Sequence, residues 1–530
     1  MATAKIQYDP NALVEYGYRR VIITITVVLC ALLELVDTTI VNVATKTLMG
    51  NLGATVSEIS WVIASYAIAN IIIIPMSGFL ASQFGRKWYF AGSVLLFTFG
   101  SFMCGHASGI WELVFWRFIQ GVGGGALMTT SQTILTEIYP KEKMGMAMAM
   151  FGMGVILGPT LGPLMGGYII DHFEWPMLFY VNVPIGLIAF FLTLIFVKDN
   201  PFVVKQKSID WLGIFLLILG IGSLQLFLEQ GERNDWFESR FIVEVFITAI
   251  IGIVGFVWRE LTTEHPVVDL RVFTRGNVGL GVSLSFLMGA VLFSTVFIIP
   301  IFVQTWLGFT ATDTGLMFTP GALFTGFCMP MVGRMLQKGV PSKILIAIGF
   351  ALTAGFVWWC SFLISPTTSP GNFFWPLMVR GLGMGLLFVP LSNLTLSGLH
   401  GKDIQQASGL NNMIRQLGGS IGVAVMGVVL EKTTAQHYND LISNVASDNI
   451  QYLDRIKTFT AAMASSSADM VANQARAFSM IYGQVFKQAS MITYINIFQV
   501  LSLILVAIIP IVFMAKIYKV KPGEVHDAGH

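Results

Sequence analysis

Charged side chains are scarce in this chain of 530 residues. Lys and Arg together number 31 and Asp and Glu number 29, which amounts to 11% of the sequence. A soluble globular chain carries about 25% charged residues, and a chain with so few cannot cover a surface that faces water. Because 55% of the residues are hydrophobic and the mean hydropathy is +0.73, the sequence predicts an integral membrane protein.

Other absences argue against whole classes of function. The net charge of +2 gives no basis for binding nucleic acid. The four cysteines, at positions 30, 104, 328 and 360, lie in apolar runs, which argues against a disulfide framework and a Cys-based metal site. The chain has no Gly-x-x-x-x-Gly-Lys-Ser/Thr loop, no motif for a catalytic nucleophile and no histidine in the middle of an apolar run. We therefore expect neither an enzyme nor a metal or organic cofactor.

Fourteen apolar runs are long enough to cross a bilayer. A transmembrane helix needs about 20 predominantly apolar residues. The predicted spans cover approximately residues 21–45, 58–81, 88–106, 110–135, 145–169, 177–197, 210–229, 240–259, 277–304, 314–336, 343–364, 372–397, 407–430 and 492–515. The sequence therefore predicts an all-α fold with fourteen transmembrane helices.

The basic residues predict how these spans are oriented, because cytoplasmic loops are enriched in Lys and Arg. With the N-terminus placed in the cytoplasm, the inner loops and tails contain 20 of the 31 basic residues. The short outer loops contain three, which are Lys46, Arg233 and Arg240. Five more lie in a long outer segment and three lie within spans. We therefore expect both termini to be cytoplasmic.

The spans are predicted to form two six-helix bundles that flank an inserted pair of helices. Residues 1–20 and 517–530 are the tails, 21–197 the first bundle, 198–275 the inserted pair with its linkers, and 276–516 the second bundle. Within the second bundle, a segment at 431–490 is rich in Ala, Ser, Asn, Gln and Asp and is predicted to lie outside the membrane. Two interpretations of this segment remain open: an extended helical hairpin that contacts a partner, or a solvated, mobile loop.

Glycine-rich patterns recur between the two bundles, as in the duplicated folds of many membrane proteins. The matching ranges are 121–127 with 381–387 and 158–162 with 418–422, both at an offset of 260, and 75–78 with 330–333, at an offset of 255. At the offset of 260, Glu34 and Asp37 of the first span correspond to Ser294 and Phe297. The second bundle therefore lacks these two acids, and we expect proton chemistry to be concentrated in the first bundle.

Ionisable side chains inside a span cost about 2.5–3.5 kcal/mol each, which makes them candidates for function. The clear cases are Glu34, Asp37, Arg117, Arg380 and Arg415. Glu34 and Asp37 are three residues apart and share nearly one face of a helix. Burial and mutual repulsion both favour the protonated carboxyl, so this pair has the chemistry of a proton-coupling site. The alternative is a carboxylate that Arg117 neutralises permanently or that a neighbouring threonine hydroxyl caps.

The fifth span combines a glycine at every fourth position with two prolines. Such glycines allow another helix to approach closely, and prolines bend a helix because they remove backbone donors. The candidate hinge positions are Gly154, Gly158, Pro159, Gly162, Pro163, Gly166 and Gly167. A generic tight helix interface would explain the glycines equally well, but the combined Gly-Pro period is more specific.

These motifs resemble those of a known family. Residues 78–87 (GFLASQFGRK) look like the loop signature of the major facilitator superfamily, and 113–121 (LVFWRFIQG) look like its fourth-span arginine motif. Residues 35–44 (LVDTTIVNVA) resemble the first-span signature of fourteen-span drug:proton antiporters. Residues 179–186 (FYVNVPIG) and 220–225 (GIGSLQ) are similar to the EmrB/QacA branch of that family. The resemblance covers nearly the whole chain.

The resemblance implies a bacterial inner-membrane exporter of hydrophobic drug-like compounds that is driven by proton influx. It also implies a periplasmic adaptor and an outer-membrane channel as partners. In the matching positions, Asp37 takes the proton-coupling role, Arg117 is its partner and the fifth-span glycines form the antiport hinge. The inner gating loop comprises Gly78, Gly85, Arg86 and Lys87.

Three positions depart from the family pattern. Ser82 stands where the loop signature has Asp, which weakens a charge-based latch there. Lys46 stands where the first-span signature has Pro, and Glu34 is an acid that this signature lacks. An additional acid is compatible with cationic substrates or with a different proton stoichiometry.

A cavity between the two bundles is the expected substrate site, with alternating access from either side. Its candidate lining residues are Asn42, Gln120, Trp61, Phe293, Phe297, Trp306, Arg380, Phe388 and Arg415. Aromatic side chains give apolar contacts, although each would equally serve in lipid contact or packing. The competing interpretations are a stand-alone exporter, a proton symporter for another small solute, and a membrane sensor or scaffold.

Overall fold

A computed structural model describes residues 13–140, 143–199, 209–399, 402–443, 445, 450–464 and 470–514. Within these residues the fold is all-α, as predicted, and contains no strand. Most of the predicted tails, 1–20 and 517–530, lies outside the described residues. The helices are α1 (Gly17–Leu52), α2 (Val56–Phe84), α3 (Arg86–His106), α4 (Ile110–Ile138), α5 (Met144–His172), α6 (Met177–Phe196), α7 (Trp211–Gln230), α8 (Arg240–Thr262), α9 (Val278–Trp306), α10 (Ala311–Gln337), α11 (Ser342–Phe362), α12 (Phe374–Leu396), α13 (Lys402–Ile442), α14 (Ile450–Ala464) and α15 (Met470–Val512).

Each predicted span coincides with one helix of the structure. Spans 1 to 13 are α1 to α13, and the fourteenth is the second part of α15. Thirteen of these helices in the described residues are long and apolar enough to cross a membrane. The remaining one, α4, has 29 residues and is long enough, but it is rich in Gly, Thr, Ser and Gln. Twenty of its residues are buried, including most of its polar ones, whereas Trp111, Phe115 and Phe118 in its first half are exposed. The polar residues of α4 therefore face other helices and not lipid.

The helix contacts repeat between the first and the last six spans. In the first set α1 packs on α5, α4 packs on α2 and α3, and α3 packs on α6. In the second set α9 packs on α13, α12 packs on α10 and α11, and α11 packs on α15. The two sets meet at two helix pairs, α5 with α10 and α2 with α13. In each pair, the fifth helix of one set packs on the second helix of the other. The predicted domain boundaries near residues 197 and 275 stay predictions.

Glycine contacts correct the predicted correspondence between α1 and α9. A Cβ added to Gly162 of α5 would meet the Thr39 hydroxyl and the Val36 carbonyl of α1. A Cβ added to Gly422 of α13 would meet the Ser294 hydroxyl and the Ala290 carbonyl of α9. Thr39 therefore corresponds to Ser294, an offset of 255 rather than 260. The counterpart of Asp37 is thus Val291 or Leu292, not Phe297; α9 contains no ionisable residue in either register.

The inserted pair, α7 and α8, lies beside α2 and α13, where the two bundles meet. A π-helical turn at Ile218–Gly222 brings Gly220 of α7 against the backbone of Gly252 in α8. At one end of the pair, Arg259 Nε donates to Asp210 Oδ2 at 2.9 Å. The inserted pair therefore covers the boundary between the two bundles on the side where α2 packs on α13.

Helices α13 and α15 extend far beyond a bilayer core. They contain 41 and 43 residues, or about 60 Å each, whereas the hydrocarbon core is about 30 Å thick. In the projecting part, α14 packs on α15, and His437 Nε2 lies 3.0 Å from Asn496 Nδ2. The segment 431–490 is thus mainly helical where the structure describes it. The predicted helical hairpin fits these helices better than the predicted mobile loop does.

Candidate functional site

Asp37 is completely buried at the meeting point of α1, α4 and α6. Arg117 Nη1 donates to Asp37 Oδ2 at 2.5 Å. Gln120 Nε2 and Asn182 Nδ2 both donate to Asp37 Oδ1, each at 2.9 Å. Ser101 in turn accepts a bond from Asn182 at 3.1 Å. The Asp37 carboxylate is therefore held by one cation and two amide donors.

Arg117 is also fixed on its remaining sides. Its Nη1 donates to Gln120 Oε1 at 2.8 Å, and its Nε donates to the Val62 carbonyl at 3.4 Å. The guanidinium lies 4.1 Å from the centre of the Tyr66 ring, which adds a cation–π contact. The first bundle therefore contains a closed, fully paired polar network.

Glu34 has different surroundings, although it is equally buried. Its Oε1 accepts a bond from Asn70 Nδ2 at 3.0 Å, and its Oε2 is buried without a hydrogen-bond partner among the described residues. Gln416 Nε2 of α13 donates to Asn70 Oδ1 at 3.2 Å. The charge of Arg415, also on α13, acts on Glu34 without forming an ion pair within 4 Å among the described residues. Glu34 therefore faces the second bundle, whereas Asp37 is enclosed in the first.

The threonines next to these acids do not cap them. The hydroxyls of Thr38 and Thr39 donate to backbone carbonyls of α1, at 2.8 Å for Thr38 and 3.0 Å for Thr39. The sequence left two alternative partners for the Asp37 carboxylate, Arg117 and a neighbouring threonine hydroxyl. The structure shows the ion pair with Arg117 and no bond from Thr38 or Thr39 to the carboxylate.

A buried polar contact joins α4 to α13 across the two bundles. Gln132 Oε1 accepts bonds from Ser408 Oγ at 2.7 Å and from Asn412 Nδ2 at 2.9 Å. Further along the same helices, Arg415 Nη2 lies 3.0 Å from Met128 Sδ. Together with the bond from Gln416 to Asn70, these contacts form a polar seam between the bundles beside Glu34.

The glycines of the fifth span pack tightly against α1. Added Cβ atoms at Gly154 and Gly166 would lie 3.1 Å from the Val28 carbonyl and 2.9 Å from the Ile40 carbonyl. At Gly158 and Gly162 they would overlap Leu35 and Thr39. Gly167 and Pro159 are buried and Pro163 is half-buried, and the helix continues through both prolines. The glycines of α5 thus allow α1, the helix that carries both acids, to pack closely against it. Their predicted role as a hinge stays a prediction.

The predicted gating loop connects three helix ends. Gly85 has a φ of 85°, a conformation that favours glycine. Arg86 forms an ion pair with Glu137 at the end of α4 and donates from Nη2 to the Lys198 carbonyl at 3.1 Å. The loop is thereby tied to α4 and to the segment that follows α6.

The same loop also touches the second bundle. The Lys87 amide donates to Asp199 Oδ1 at 2.9 Å, so an acid from beyond α6 caps α3. A Cβ at Gly78 would lie 3.4 Å from Gln405 Cγ at the start of α13. Ser82, which replaces the Asp of the signature, donates only to the Phe79 carbonyl of its own helix at 2.7 Å. The polar contacts of this loop are therefore made by Arg86, Glu137 and Asp199 and not by position 82; the gating role stays a prediction.

The model of the Major Facilitator Superfamily matches residues 27–423, which is most of the chain and includes every helix of this site. The chain belongs to the major facilitator superfamily. It is 33% identical over 503 residues to the multidrug export protein EmrB of Escherichia coli, covering 94% of this chain and 96% of that protein. It is 35% identical over 429 residues to EmrB of Haemophilus influenzae, covering 81% and 84%. Membership of this superfamily makes the chain a multi-pass membrane transporter.

A solved structure supports the fold of this facilitator. The human organic anion transporter MFSD10 has a TM-score of 0.55 with 14% sequence identity, and the match covers 78% of this chain and 94% of that one. At this identity the likeness concerns the fold alone.

The predicted cavity residues of the facilitator do not share one site. Gln120 belongs to the Asp37 network, as described above. Phe388 is buried at the seam, with its ring 5.1 Å from the Arg415 guanidinium and 6.1 Å from the Phe151 ring. Trp306 packs against Phe486 of α15 at 6.0 Å, away from the seam. The remaining candidates are exposed Asn42, half-buried Trp61, Phe293 and Phe297, and buried Arg380.

Four amides of this transporter were not identified from the sequence: Asn70, Gln132, Asn182 and Gln416. Each is a polar side chain inside a predicted span or a family motif, and this was the only feature of the sequence that could have marked it as a site residue. These helices also contain many Gly and Thr residues, so a single amide side chain is not conspicuous among them. Only the packing of the helices shows that Asn182 meets Asp37, that Asn70 meets Glu34 and Gln416, and that Gln132 meets Ser408 and Asn412 of the second bundle.

Proposed function

We propose that the chain is a proton-driven exporter of hydrophobic or amphipathic toxic compounds that works by drug/proton antiport. The contrast between its two buried acids carries this proposal: Asp37 is fully paired, and Glu34 has an unpartnered oxygen at the seam between the bundles. The multidrug export proteins that it resembles support the class of substrate.

Glu34 is the group that takes up and releases the proton. Protonation of Asp37 would break at least one of its three bonds and leave Arg117 buried without a partner, which is costly. Protonation of Glu34 breaks none, because Oε2 is free to hold the proton while Oε1 keeps its bond with Asn70. Asp37 and Arg117 then act as the fixed charge pair that positions α1 beside α4 and α6.

The seam couples this proton to the movement of the bundles. When Glu34 is charged, it attracts Arg415 of the second bundle; when it is protonated, that attraction is lost. Drug binding near the seam favours one of these states, and the proton gradient supplies the direction. The Gly stripe of α5 allows α1 to shift against it.

The conformation described here faces outward if the Arg86 end of the molecule is cytoplasmic, as the basic residues predict. At that end α2 meets α13 at Gly78 and Gln405, whereas α5 and α10 meet both there, at Gly145 and Gly333, and at the opposite end, at Leu164 and Gly315. Helices α1 and α9, both fully described, are not among the pairs that pack extensively. A Gly78→Cys/Gln405→Cys pair is expected to form a disulfide and to stop transport until it is reduced. Failure to cross-link under oxidation would contradict the outward-facing assignment.

We further propose the bacterial inner membrane as the location and a tripartite pump as the assembly. The projecting parts of α13 and α15 lie outside the membrane in this orientation and would reach a periplasmic adaptor. Exposed apolar side chains there, at Ile450 and Phe486, suit such a contact. An outer-membrane channel would complete the path.

The proposed function is tested by proton release from purified protein on addition of rhodamine 6G, followed with a pH dye in weakly buffered detergent. We expect release by the native chain, none by Glu34→Gln with dye binding retained, and release like the native chain by Glu174→Gln, which alters an exposed acid. Proton uptake on dye binding would instead indicate symport. Unchanged release by Glu34→Gln would assign the proton to Asp37.

A further inference from the structure

The second bundle buries positive charge without negative charge. Among the described residues from 278 onward, the buried ionisable side chains that carry a full charge are Arg380 and Arg415, and none is an acid. Arg415 has Glu34 across the seam to offset its charge. Arg380 has no such counterpart, so its charge is the one in the described interior that requires explanation.

Arg380 is 5% exposed, and it makes no hydrogen bond or ion pair with any residue in the described part of the chain. Its Nε is buried without a partner. The guanidinium lies 5.5 Å from the centre of the Phe318 ring, and the Cys360 thiol is nearby. A cation–π contact satisfies one face of a guanidinium and leaves its five N–H donors unused.

The surroundings of Arg380 in the second bundle resemble those of Arg117 in the first. At the offset of 260 that relates α4 to α12, however, Arg380 takes the place of Gln120, which also donates to Asp37, and stands three residues beyond the counterpart of Arg117. In the first bundle the arginine is on α4, its ring partner Tyr66 is on α2 and Cys104 is on α3. In the second bundle the arginine is on α12, its ring partner Phe318 is on α10 and Cys360 is on α11, and these three helices occupy the equivalent places. Both cysteines stand at the nineteenth position of their helices. What differs is the carboxylate, because α9 contains no acid.

We infer that Arg380 binds the carboxylate of an organic anion, which takes the place that the Asp37 side chain fills in the first bundle. A guanidinium pairs with a carboxylate, the group that Asp37 supplies in the first bundle, through two parallel N–H donors. The ring of Phe318 offers an apolar surface for the body of the anion. Arg380 is the seventh residue of α12, about 9 Å from its start, so the anion reaches it from the end of the molecule opposite Arg86. This site requires neither the direction nor the energy source of the proposed transport.

The test measures binding of radiolabelled 4-phenylbutyrate to the purified full chain by equilibrium dialysis. We expect saturable binding that Arg380→Gln weakens by about tenfold or more and that Arg380→Lys partly restores. Arg334→Gln, which removes an exposed cation of α10, serves as the matched control and is expected to bind like the native chain. Equal affinity of Arg380→Gln and the native chain would overturn the inference.

Two competitors distinguish the source of the anion. Competition by acetate at concentrations comparable to that of 4-phenylbutyrate indicates a site for small free carboxylates. Competition only by larger carboxylates indicates the head group of an amphipathic molecule. The uncharged 4-phenylbutyramide is expected not to compete, and competition by it as strong as by the acid would overturn the inference.

A measurement on the native chain keeps the test decisive if Arg380→Gln does not fold. A photoreactive phenylbutyrate with a diazirine on the ring is expected to label peptides that contain Phe318 or residues 374–384. Labelling confined to the seam peptides around Arg415 would place the carboxylate on the other buried arginine and refute the assignment to Arg380.

Discussion

The two bundles of this transporter share a helix arrangement but differ in how they treat buried charge. In the first, Asp37 and Arg117 are joined at 2.5 Å and every oxygen of the carboxylate has a donor. In the second, Arg380 stands at the place of Gln120, three residues beyond the counterpart of Arg117, beside an aromatic ring and without an acid. The comparison teaches that both bundles bury an arginine among equivalent helices, at positions three residues apart, while the chemistry around it differs. The structure pairs the arginine of the first bundle with an acid, whereas α9 of the second bundle contains none.

The largest expected difference between the bundles is in stability. Asp37→Asn leaves Arg117 buried without a counter-charge, which is expected to cost about 3–5 kcal/mol. Arg380→Gln breaks no ion pair, so its effect is expected to be below about 1 kcal/mol or slightly stabilising, because an unpaired buried cation is removed. Thermal unfolding of the purified variants measures both.

The double variant Asp37→Asn/Arg117→Gln is the control for this comparison. Removing both charges also removes the unpaired cation, so the double variant should be more stable than Asp37→Asn alone. If Arg380→Gln proves as destabilising as Asp37→Asn, the second pocket holds a counter-charge and the contrast between the bundles is wrong.

Hydropathy was enough to predict the helices of this fold, but not which side chains meet between them. Each of the fourteen spans predicted from apolar runs coincides with a helix, including α4, whose polar residues reflect burial in protein, and thirteen of these helices in the described residues are long and apolar enough to cross a membrane. The pairing of Asp37 with Arg117 followed from the family motifs. The partners Asn182 and Asn70 could not be predicted, because they come from helices whose relative rotation is decided by packing.

The internal repeat shows the same limit. An offset of 260 pairs Gly162 with Gly422, but the contacts of these two glycines shift the correspondence between α1 and α9 by about five residues. Loops of different length separate the helices in the two bundles, so no single offset applies to all. The lack of an acid in α9 survives the correction, since it holds in any register.

Glycine substitutions compare the packing of the two bundles at a smaller expected effect. Gly162→Ala and Gly422→Ala place a methyl group against the α1 and α9 backbones, and each is expected to destabilise by about 1–3 kcal/mol. Gly355→Ala, in an exposed position with nothing within 4 Å of the added Cβ, is expected to stabilise by about 0.5–1 kcal/mol. Thermal unfolding ranks the three. A neutral Gly422→Ala beside a costly Gly162→Ala would mean that only the first bundle depends on close helix approach.

The smallest expected effect concerns the hydrogen bond that joins the bundles. A double-mutant cycle on Asn70→Ala and Gln416→Ala is expected to give a coupling energy of about 0.6 kcal/mol, the average for such bonds between membrane helices. The cycle on Ser60→Ala and Gln230→Ala, a buried bond at 3.1 Å between the first bundle and the inserted pair, provides the matched comparison. Because the first bond crosses the seam that we propose to move and the second does not, a bound drug that shifts the bundles should reduce the first coupling energy and leave the second unchanged. Equal behaviour of the two cycles would mean that Asn70 and Gln416 stay together during transport, and the proton that we propose for Glu34 would then need another route to influence the second bundle.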